Sequence, residues 1–166
     1  MDRILVPSTG QSSWTRDVAR SAIETESGTE TMAIVLHVFE PEEIETTRAN
    51  LDLETNEEYS LDELAARKRD VSVTADTLEA AGIPTQVCGR RSDGDPAETI
   101  VSTAEDEDVD RIYLYSRKRS PAGKAVFGSV LQRVLLNASC PVVVSPPNDT
   151  DSRAVESGET TGFGEK

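Results

Sequence analysis

The sequence predicts an α/β protein built on a doubly wound parallel sheet of five strands. Two observations support this fold class. Short apolar runs typical of buried strands alternate with longer segments whose apolar residues recur at helical spacing. No internal repeat is visible, so the sequence contains a single copy of this unit. Because right-handed crossovers join successive parallel strands, such an order folds into one sheet with helices on both faces.

Apolar, β-branched composition marks the strands. Five runs share it: residues 3–7, 32–39, 83–88, 109–115 and 141–145. The second run is apolar throughout, which predicts a central strand. Pro84 lies near the start of the third run and predicts an edge position, because proline cannot donate a hydrogen bond to a neighbouring strand.

Four helices are predicted between these strands. The first has Trp14, Val18 and Ile23 on its inward face and ends near Gly28. The other three begin at capping signals: Ser60 with Glu63, Asp95 with Pro96 and Glu98, and Ser129 with Gln132. The helix from Ser60 is expected to be long and to end at Gly82. The inward residues of the last helix are expected to be Val130, Val134, Leu135 and Ala138.

Three segments lack such patterns. Residues 40–58 are acidic and predict a loop or a short irregular helix, whereas residues 116–127 predict a loop. Residues 147–166 are polar and charged, which predicts a disordered acidic tail. The folded domain is therefore expected over residues 1–146.

Charge excludes several classes of partner. The net charge is −14, with 31 Asp and Glu against 17 Lys and Arg. Such a surface repels phosphate backbones and anionic lipid, so nucleic-acid binding is not expected. No apolar run reaches the roughly 18 residues of a membrane span, and no signal peptide is evident, so we expect a cytoplasmic protein without membrane insertion. Its acid excess suits a halophilic source, where salt screens self-repulsion.

Cysteine and histidine give little support for metal or covalent chemistry. Cys88 and Cys140 lie far apart in apolar runs, which favours reduced core residues over a disulfide or a reactive thiol. His37 is the only histidine, and its place on the predicted central strand favours a structural role. No metal-ligand set is visible. A Ser-His-Asp site stays open, although no Gly-x-Ser-x-Gly nucleophile motif is present.

Ligands of doubly wound sheets bind beyond the carboxyl ends of the strands, where the strand order reverses. Residues 8–11, 38–40 and 115–129 are predicted to lie there, with Ser8 and Val38 as candidate contacts. The loop of residues 116–124 holds four of the 17 cations: Arg117, Lys118, Arg119 and Lys124. These cations either hold an anion above the helix that starts at Ser129 or only offset nearby acids. Ser129 itself is open to two interpretations, an anion contact or a helix cap.

Several motifs resemble those of the universal stress protein family. They are ILVP at residues 4–7, LHV at residues 36–38, GDPAE at residues 94–98 and FGSVLQRVLLNASCPVVV at residues 127–144. The resemblance covers residues 2–145. It implies the sheet order 3-2-1-4-5 of the adenine-nucleotide alpha hydrolase-like fold. It also implies a homodimer in which the last strand, with Val142, Val143, Val144 and Ser145, pairs with its symmetry mate.

Some members of that family bind ATP through an Asp after the first strand and a loop patterned Gly-x2-Gly-x9-Gly-Ser/Thr. Gly128 and Ser129 match the end of this loop, but the two earlier glycines fall on Tyr115 and Lys118, and the Asp falls on Thr9. Glycine lets backbone amides approach phosphate oxygens, whereas a tyrosine obstructs them and a threonine offers no carboxylate. We therefore expect a remodelled loop without ATP binding of the usual kind.

The resemblance implies a non-catalytic, dimeric stress-response or regulatory protein that acts through a partner, such as a transporter or another stress protein. The alternative is a switch that binds ATP, AMP or another adenine nucleotide, with slow or no hydrolysis. An enzyme is not expected, because the sequence offers no catalytic constellation. Tyr115 separates the two hypotheses. A side chain that fills the nucleotide space removes the switch, whereas one that folds away from the pocket, with the loop from Arg117 to Lys124 closing over the ligand, preserves it.

Overall fold

The structure is a computed structural model that describes residues 1–8, 12–50, 59–116, 118–119, 125–126 and 128–145. Of residues 12, 13, 118, 119, 125 and 126 it describes the backbone only. The predicted acidic tail, residues 147–166, lies outside the described residues, so that expectation stays a prediction.

Strands and helices alternate as the sequence predicts. In chain order the elements are β1 (Asp2–Pro7), α1 (Ser12–Thr25), β2 (Thr31–Phe39), α2 (Pro41–Asn50), α3 (Leu61–Ala66), α4 (Arg69–Ala80), β3 (Thr85–Arg91), α5 (Pro96–Asp106), β4 (Arg111–Tyr115), β5 (Lys118–Arg119), β6 (Ala125–Val126), α6 (Ser129–Asn137) and β7 (Val142–Ser145). The main sheet is parallel and has the order β3-β2-β1-β4-β7. Because β5 and β6 pair only with each other, β7 is the fifth strand of the sheet and the predicted order 3-2-1-4-5 is confirmed.

Each face of the sheet carries its own apolar core, because successive side chains of a strand point to opposite faces. On one face Leu5 and Ile112 pack with Ile100 of α5 and Val134 of α6. On the other face the neighbouring strand residues pack with α1 and α4; this cluster contains Ile4, Val6, Val18, Ala22, Val71, Leu78 and Tyr113. Both faces are therefore covered by helices, as expected for a doubly wound sheet.

Helix α3 closes the outer edge of β3. The backbone N–H of Gly89 points away from the sheet and donates to Oδ1 of Asp62 at 2.7 Å. A Cβ atom at position 89 would lie 2.1 Å from the carbonyl oxygen of Leu61, so only glycine permits this approach. The edge position that Pro84 predicts for this strand is confirmed.

The prediction of one long helix from Ser60 is wrong, because the segment forms the two helices α3 and α4. Ser60 caps α3 as predicted and accepts from the backbone N–H of Glu63 at 3.1 Å. However, Lys68 adopts extended dihedrals (φ −73°, ψ 134°) and separates α3 from α4. The ammonium of Lys68 lies 3.0 Å from Oε2 of Glu43, and this tertiary contact is made from the break between the helices.

Three further segments differ from the predictions. Within residues 40–58, a regular helix, α2, occupies Pro41–Asn50, and the strands β5 and β6 lie within the predicted loop of residues 116–127. Gly128, not Ser129, is the N-cap of α6 with extended dihedrals, so the predicted capping box with Gln132 is wrong. Leu131 and Val134 of α6 are buried, and Val130 and Ala138 pack against the same core as predicted, whereas Leu135 is 39% exposed.

A buried carboxylate lies near the amino ends of β1, β2 and β4. Glu26 accepts from Nε of Arg111 at 2.7 Å and from the hydroxyl of Tyr113 at 2.5 Å. Burial raises the pKa of Glu26, but the hydrogen bonds from Arg111 and Tyr113 outweigh it, so the pKa lies below its usual value. Burial and the bond to Glu26 raise the pKa of Tyr113 to about 12.

Candidate functional site

The sheet order reverses between β1 and β4. From β1 the chain builds outward to β2 and β3, and it then returns to the other side of β1 to form β4 and β7. In such sheets the crevice between the carboxyl ends of the two diverging strands is the usual ligand position. Here the N–H of Ser8, just after β1, donates to the Leu36 carbonyl at 2.7 Å, and the N–H of Ser116, just after β4, donates to the Ser145 carbonyl at 2.9 Å.

A chain of polar side chains crosses this carboxyl edge. Oγ of Ser8 lies 2.8 Å from Nδ1 of His37, and Nε2 of the same ring lies 2.6 Å from Oε2 of Glu43. The three residues come from the end of β1, from β2 and from the first turn of α2. Lys68 completes the chain through its contact with Glu43. We call Ser8, His37, Glu43 and Lys68 the edge relay.

The partners of the edge relay fix its charge. Burial raises the pKa of Glu43, but hydrogen bonds from His37 and Lys68 outweigh this effect and lower the pKa below its usual value. Glu43 is therefore an anion near neutral pH and accepts from Nε2–H of His37. In the neutral ring, Nδ1 then carries the lone pair, and the Ser8 hydroxyl donates to it.

The His37 ring has little freedom to turn. Its residue is 8% exposed, and the Phe39 ring meets it edge-on with centroids 4.4 Å apart. Both nitrogens are occupied, so the packing and the hydrogen bonds favour one orientation. The predicted structural role of His37 is thus accompanied by acid–base geometry that the sequence does not reveal.

The position that resembles the first glycine of the nucleotide loop holds a core aromatic residue. Tyr115 is 8% exposed, and its ring stacks on Trp14 of α1 with centroids 5.9 Å apart and planes inclined by 27°. Both rings belong to the core on the α1 and α4 face of the sheet. The end of β4 is therefore occupied by a packed side chain where a glycine would leave open space.

The other predicted site residues are spread over this edge and over β7. Val38 is half-buried against the core on the α5 and α6 face, and Gly128 and Ser129 are exposed at the start of α6. Lys118 is a backbone position of β5. Thr9, Arg117 and Lys124 lie outside the described residues, so the predicted anion site stays a prediction.

The predicted dimer strand, β7, lies at the outer edge of the sheet. Val142, Val143 and Val144 are half-buried, whereas Ser145 is 4% exposed. The Ser145 hydroxyl has no hydrogen-bond partner among the described residues. The valines are thus accessible in part, whereas Ser145, whose side chain is buried and whose carbonyl accepts from Ser116 on the β4 side, contributes no surface to this edge.

Three members of the edge relay were not predicted to form a site. Glu43 falls in a segment without periodicity, Lys68 falls in a predicted helix interior, and His37 reads as a core residue of a strand. The separation of 29 positions between Ser8 and His37 reflects the parallel pairing of β1 with β2. A register for that pairing, with Pro7 opposite Leu36, is the only signal that would have placed Ser8 beside His37.

Neither a metal-binding cluster nor a membrane-spanning helix is found in the described ranges. No three His, Cys, Asp or Glu side chains there are grouped to hold a metal ion. Across the same residues, every helix is too short or too polar to cross a membrane. Cys88 and Cys140 are free thiols, and burial raises the pKa of Cys88 to about 11, which suits the predicted reduced core residue.

Comparisons with known proteins agree on one family. The model of the "Universal stress protein family" matches residues 1–146. A universal stress protein of Mycolicibacterium smegmatis is 31% identical over 84 residues, and the match spans 50% of this chain but only 63% of that protein. Among solved structures, a universal stress protein from Archaeoglobus fulgidus superposes with a TM-score of 0.64 at 25% identity, covering 87% of this chain and 98% of the other.

Two further solved structures share the fold and contain nucleotides. The universal stress protein from Archaeoglobus fulgidus in complex with dAMP has a TM-score of 0.62 at 19% identity and covers 87% of this chain and 97% of its own. A universal stress protein in complex with cAMP has a TM-score of 0.60 at 17% identity, with 89% and 98% covered. At these identities the likeness establishes the fold.

Proposed function

Because the chain belongs to the universal stress protein family, we propose that it is a dimeric regulatory protein that neither binds ATP in the family's glycine-loop manner nor hydrolyses it. Regulation would proceed through contacts with a partner protein rather than through turnover of nucleotide. The packing of Tyr115 at the end of β4 is the observation that carries this proposal.

Binding of ATP in the glycine-loop manner requires open space and access to the backbone. A glycine-rich cradle works because amide groups approach the phosphate oxygens without side chains between them. The Tyr115 side chain is instead buried against Trp14. The ring is held in the core on the α1 and α4 face and fixes residue 115 in place, so the chain cannot present there the bare backbone that glycine offers to a phosphate. Occupation of the crevice by ATP therefore carries a cost that a glycine would avoid.

Isothermal titration calorimetry at high salt tests this proposal. We expect no heat of binding from ATP up to millimolar concentration. A dissociation constant below ~0.1 mM, about −5.5 kcal/mol, would overturn it. A double variant, Thr9→Asp with Lys118→Gly, restores two family residues and leaves Tyr115 in place. ATP binding by that variant would identify those two positions, and not Tyr115, as the obstacle.

A second candidate function is a switch that responds to an adenosine monophosphate. Solved relatives hold dAMP and cAMP, which need fewer phosphate contacts than ATP. Gly128 and Ser129 remain at the start of α6, where a helix N-terminus favours anions. Heat with AMP or cAMP, but none with ATP, would favour this candidate. A change in molar mass by light scattering on adding the ligand would link binding to assembly.

The proposed dimer uses the outer edge of β7. Ile112 N–H donates to the Pro141 carbonyl at 3.0 Å, and Ser116 N–H donates to the Ser145 carbonyl at 2.9 Å. The backbone N–H and C=O groups of the odd-numbered residues of β7 thus point at β4. Because these groups alternate in direction along a strand, the backbone N–H and C=O groups of Val142 and Val144 point outward. An apolar strand with unpaired outward groups is a template for pairing with a second copy.

Val144→Pro tests this interface, because it removes one outward N–H and leaves the pairing with β4 intact. We expect the molar mass measured by light scattering to fall from that of a dimer to that of a monomer. Arg91→Pro is the matched control, since Ser92 N–H donates to the Phe39 carbonyl at 2.8 Å and the Arg91 group therefore points outward at the opposite edge. A dimer that persists in Val144→Pro would exclude this strand.

Val143→Asp supplies a second probe of β7 and places a charge on the strand itself. Its side chain packs against the core on the α1 and α4 face, so a loss of dimer is informative only in a variant that retains its thermal transition. The two variants together separate loss of pairing from loss of fold.

A further inference from the structure

The edge relay has the connectivity of a nucleophile, a base and an orienting acid. Oγ of Ser8 is within 2.8 Å of one ring nitrogen of His37, and the other ring nitrogen is within 2.6 Å of Glu43. Such groups are recognised by their geometry and roles rather than by sequence position. We propose that Ser8 is a nucleophilic serine, activated by His37, that takes an acyl group from an activated ester or thioester. This activity goes beyond the regulatory function proposed above and does not depend on it.

The direction of the hydrogen bonds supports a base at Nδ1. Glu43 is an acceptor and Nε2 must donate to it, so the neutral ring presents its lone pair to the Ser8 hydroxyl. When the ring takes the serine proton, the resulting imidazolium faces the Glu43 carboxylate. Glu43 therefore stabilises the charge that forms and holds the ring in the required tautomer, which makes it a positioning residue.

Location and burial support access from one side. Ser8 is half-buried at the carboxyl end of β1, the edge where doubly wound proteins place their ligands. His37 lies behind it at 8% exposure, packed against Phe39. A base in such a partly desolvated place interacts more strongly with its partners than it would in water.

Lys68 has a different role. Its ammonium lies 3.0 Å from the same Glu43 oxygen that contacts His37. The His37 ring and the Lys68 ammonium contact the same Glu43 oxygen, so Lys68 partly neutralises the negative charge that faces the ring. Lys68→Met is therefore expected to leave Glu43 more available to His37 and to increase, not decrease, the reactivity of Ser8.

The covalent step balances within the relay. Oγ of Ser8 forms a bond to the acyl carbon, and its proton moves to Nδ1 of His37. The bond between that carbon and the leaving alcohol or thiol breaks, and the proton passes from Nδ1 to the leaving oxygen or sulfur. Water then attacks the acyl carbon and gives a proton to Nδ1 of His37. The bond between that carbon and Oγ breaks, and the proton returns from Nδ1 to Oγ, which releases the acid and restores Ser8.

A fluorophosphonate probe and an activated acyl ester, p-nitrophenyl acetate, test the proposal on the full chain. We expect peptide mass spectrometry to place the label on Ser8 and the ester to give a burst of nitrophenolate stoichiometric with protein. Ser102 is an internal control, because it is exposed and its hydroxyl donates to the Thr99 carbonyl at 3.1 Å, while the one histidine of the chain contacts Ser8 and Glu43 instead. Equal labelling of Ser8 and Ser102 would overturn the proposal.

Three variants separate activation from fold. Ser8→Ala should abolish the label, and His37→Gln, which keeps a donor toward Glu43 but removes the base, should lower the labelling rate about 100-fold or more. The wild-type rate should rise as a sigmoid with pH as the ring loses its proton, with Ser8, Glu43 and Lys68 as the polar groups that face it. Glu43→Gln should shift that midpoint to lower pH, because the imidazolium loses its anion.

A merely structural relay predicts a different outcome. His37→Gln and Glu43→Gln would then lower the thermal midpoint but leave the labelling rate per folded molecule and its pH profile unchanged. That result, measured on variants with an intact thermal transition, would overturn the nucleophile. ATP titration is independent of this readout, so the two proposals can fail separately.

Discussion

Replacing Tyr113 by Phe removes a single hydroxyl from the buried cluster near the amino ends of the strands. The side chain is fully buried, and its hydroxyl donates to Oε1 of Glu26 at 2.5 Å. Glu26 keeps its two hydrogen bonds from Arg111 in the variant. A hydrogen bond to a charged group contributes about 1.5–3 kcal/mol. We therefore expect the free energy of unfolding to fall by about 2 kcal/mol near neutral pH.

The same contact predicts how this difference varies with pH. The pKa of Tyr113 rises from 10.0 to about 12 on folding, so the folded protein holds the proton more tightly. The corresponding stability is fully present below the unfolded pKa and is lost as pH rises through the folded pKa. One pKa unit corresponds to about 1.4 kcal/mol, so the wild type should lose about that much relative to Tyr113→Phe between about pH 9 and about pH 11.

Urea unfolding of both proteins at high salt measures this difference. The advantage of the wild type should shrink from about 2 kcal/mol at about pH 9 to less than 1 kcal/mol at about pH 11. The other titrating groups are common to both proteins and cancel. A difference that stays constant over this range would refute the raised pKa that burial and the bond to Glu26 give to Tyr113.

Three further predictions concern the fold and its surface. Gly89→Ala should destabilise by several kcal/mol, because its Cβ would lie 2.1 Å from the Leu61 carbonyl oxygen. Gly128→Ala, with nothing within 4 Å, should cost no more than about 1 kcal/mol, because its only expected loss is that of a glycine at the N-cap; equal midpoints would contradict the close approach. Asp95→Ala should cost ~1 kcal/mol by thermal unfolding, since its carboxylate accepts from Ala97 N–H at 3.1 Å, and Asp95→Asn should recover most of that loss. Finally, the thermal midpoint should rise with added potassium chloride, because salt screens the net charge of −14; a midpoint independent of salt would remove the halophilic interpretation.

Local signals predicted most of the fold. The strand cores alternate or are uniformly apolar, and Asp95 caps α5 as its spacing with Pro96 indicates. Pro84 correctly marked an edge strand. The strand order was taken from the resemblance, because composition alone does not determine the order of parallel strands in a sheet. The structure confirms that order.

Errors arose where tertiary contacts decide between local alternatives. The break at Lys68 coincides with its contact to Glu43, and no residue there is a helix breaker. Gly128 and Ser129 are both acceptable N-caps, and the backbone selects the glycine. The edge relay joins three elements by hydrogen bonds, so it depends on register and on the placement of α2. Such a site has no periodic signature in the sequence.

The closure of β3 by α3 limits how this protein can polymerise. A sheet with two open edges can add strands at both ends and grow into a fibre, whereas a sheet with one open edge can only be joined once. With Asp62 occupying the outward amide of Gly89, the described residues leave β7 as the open edge. When two β7 strands pair, the open edge of each copy is covered by the other, so association by this route ends at the dimer.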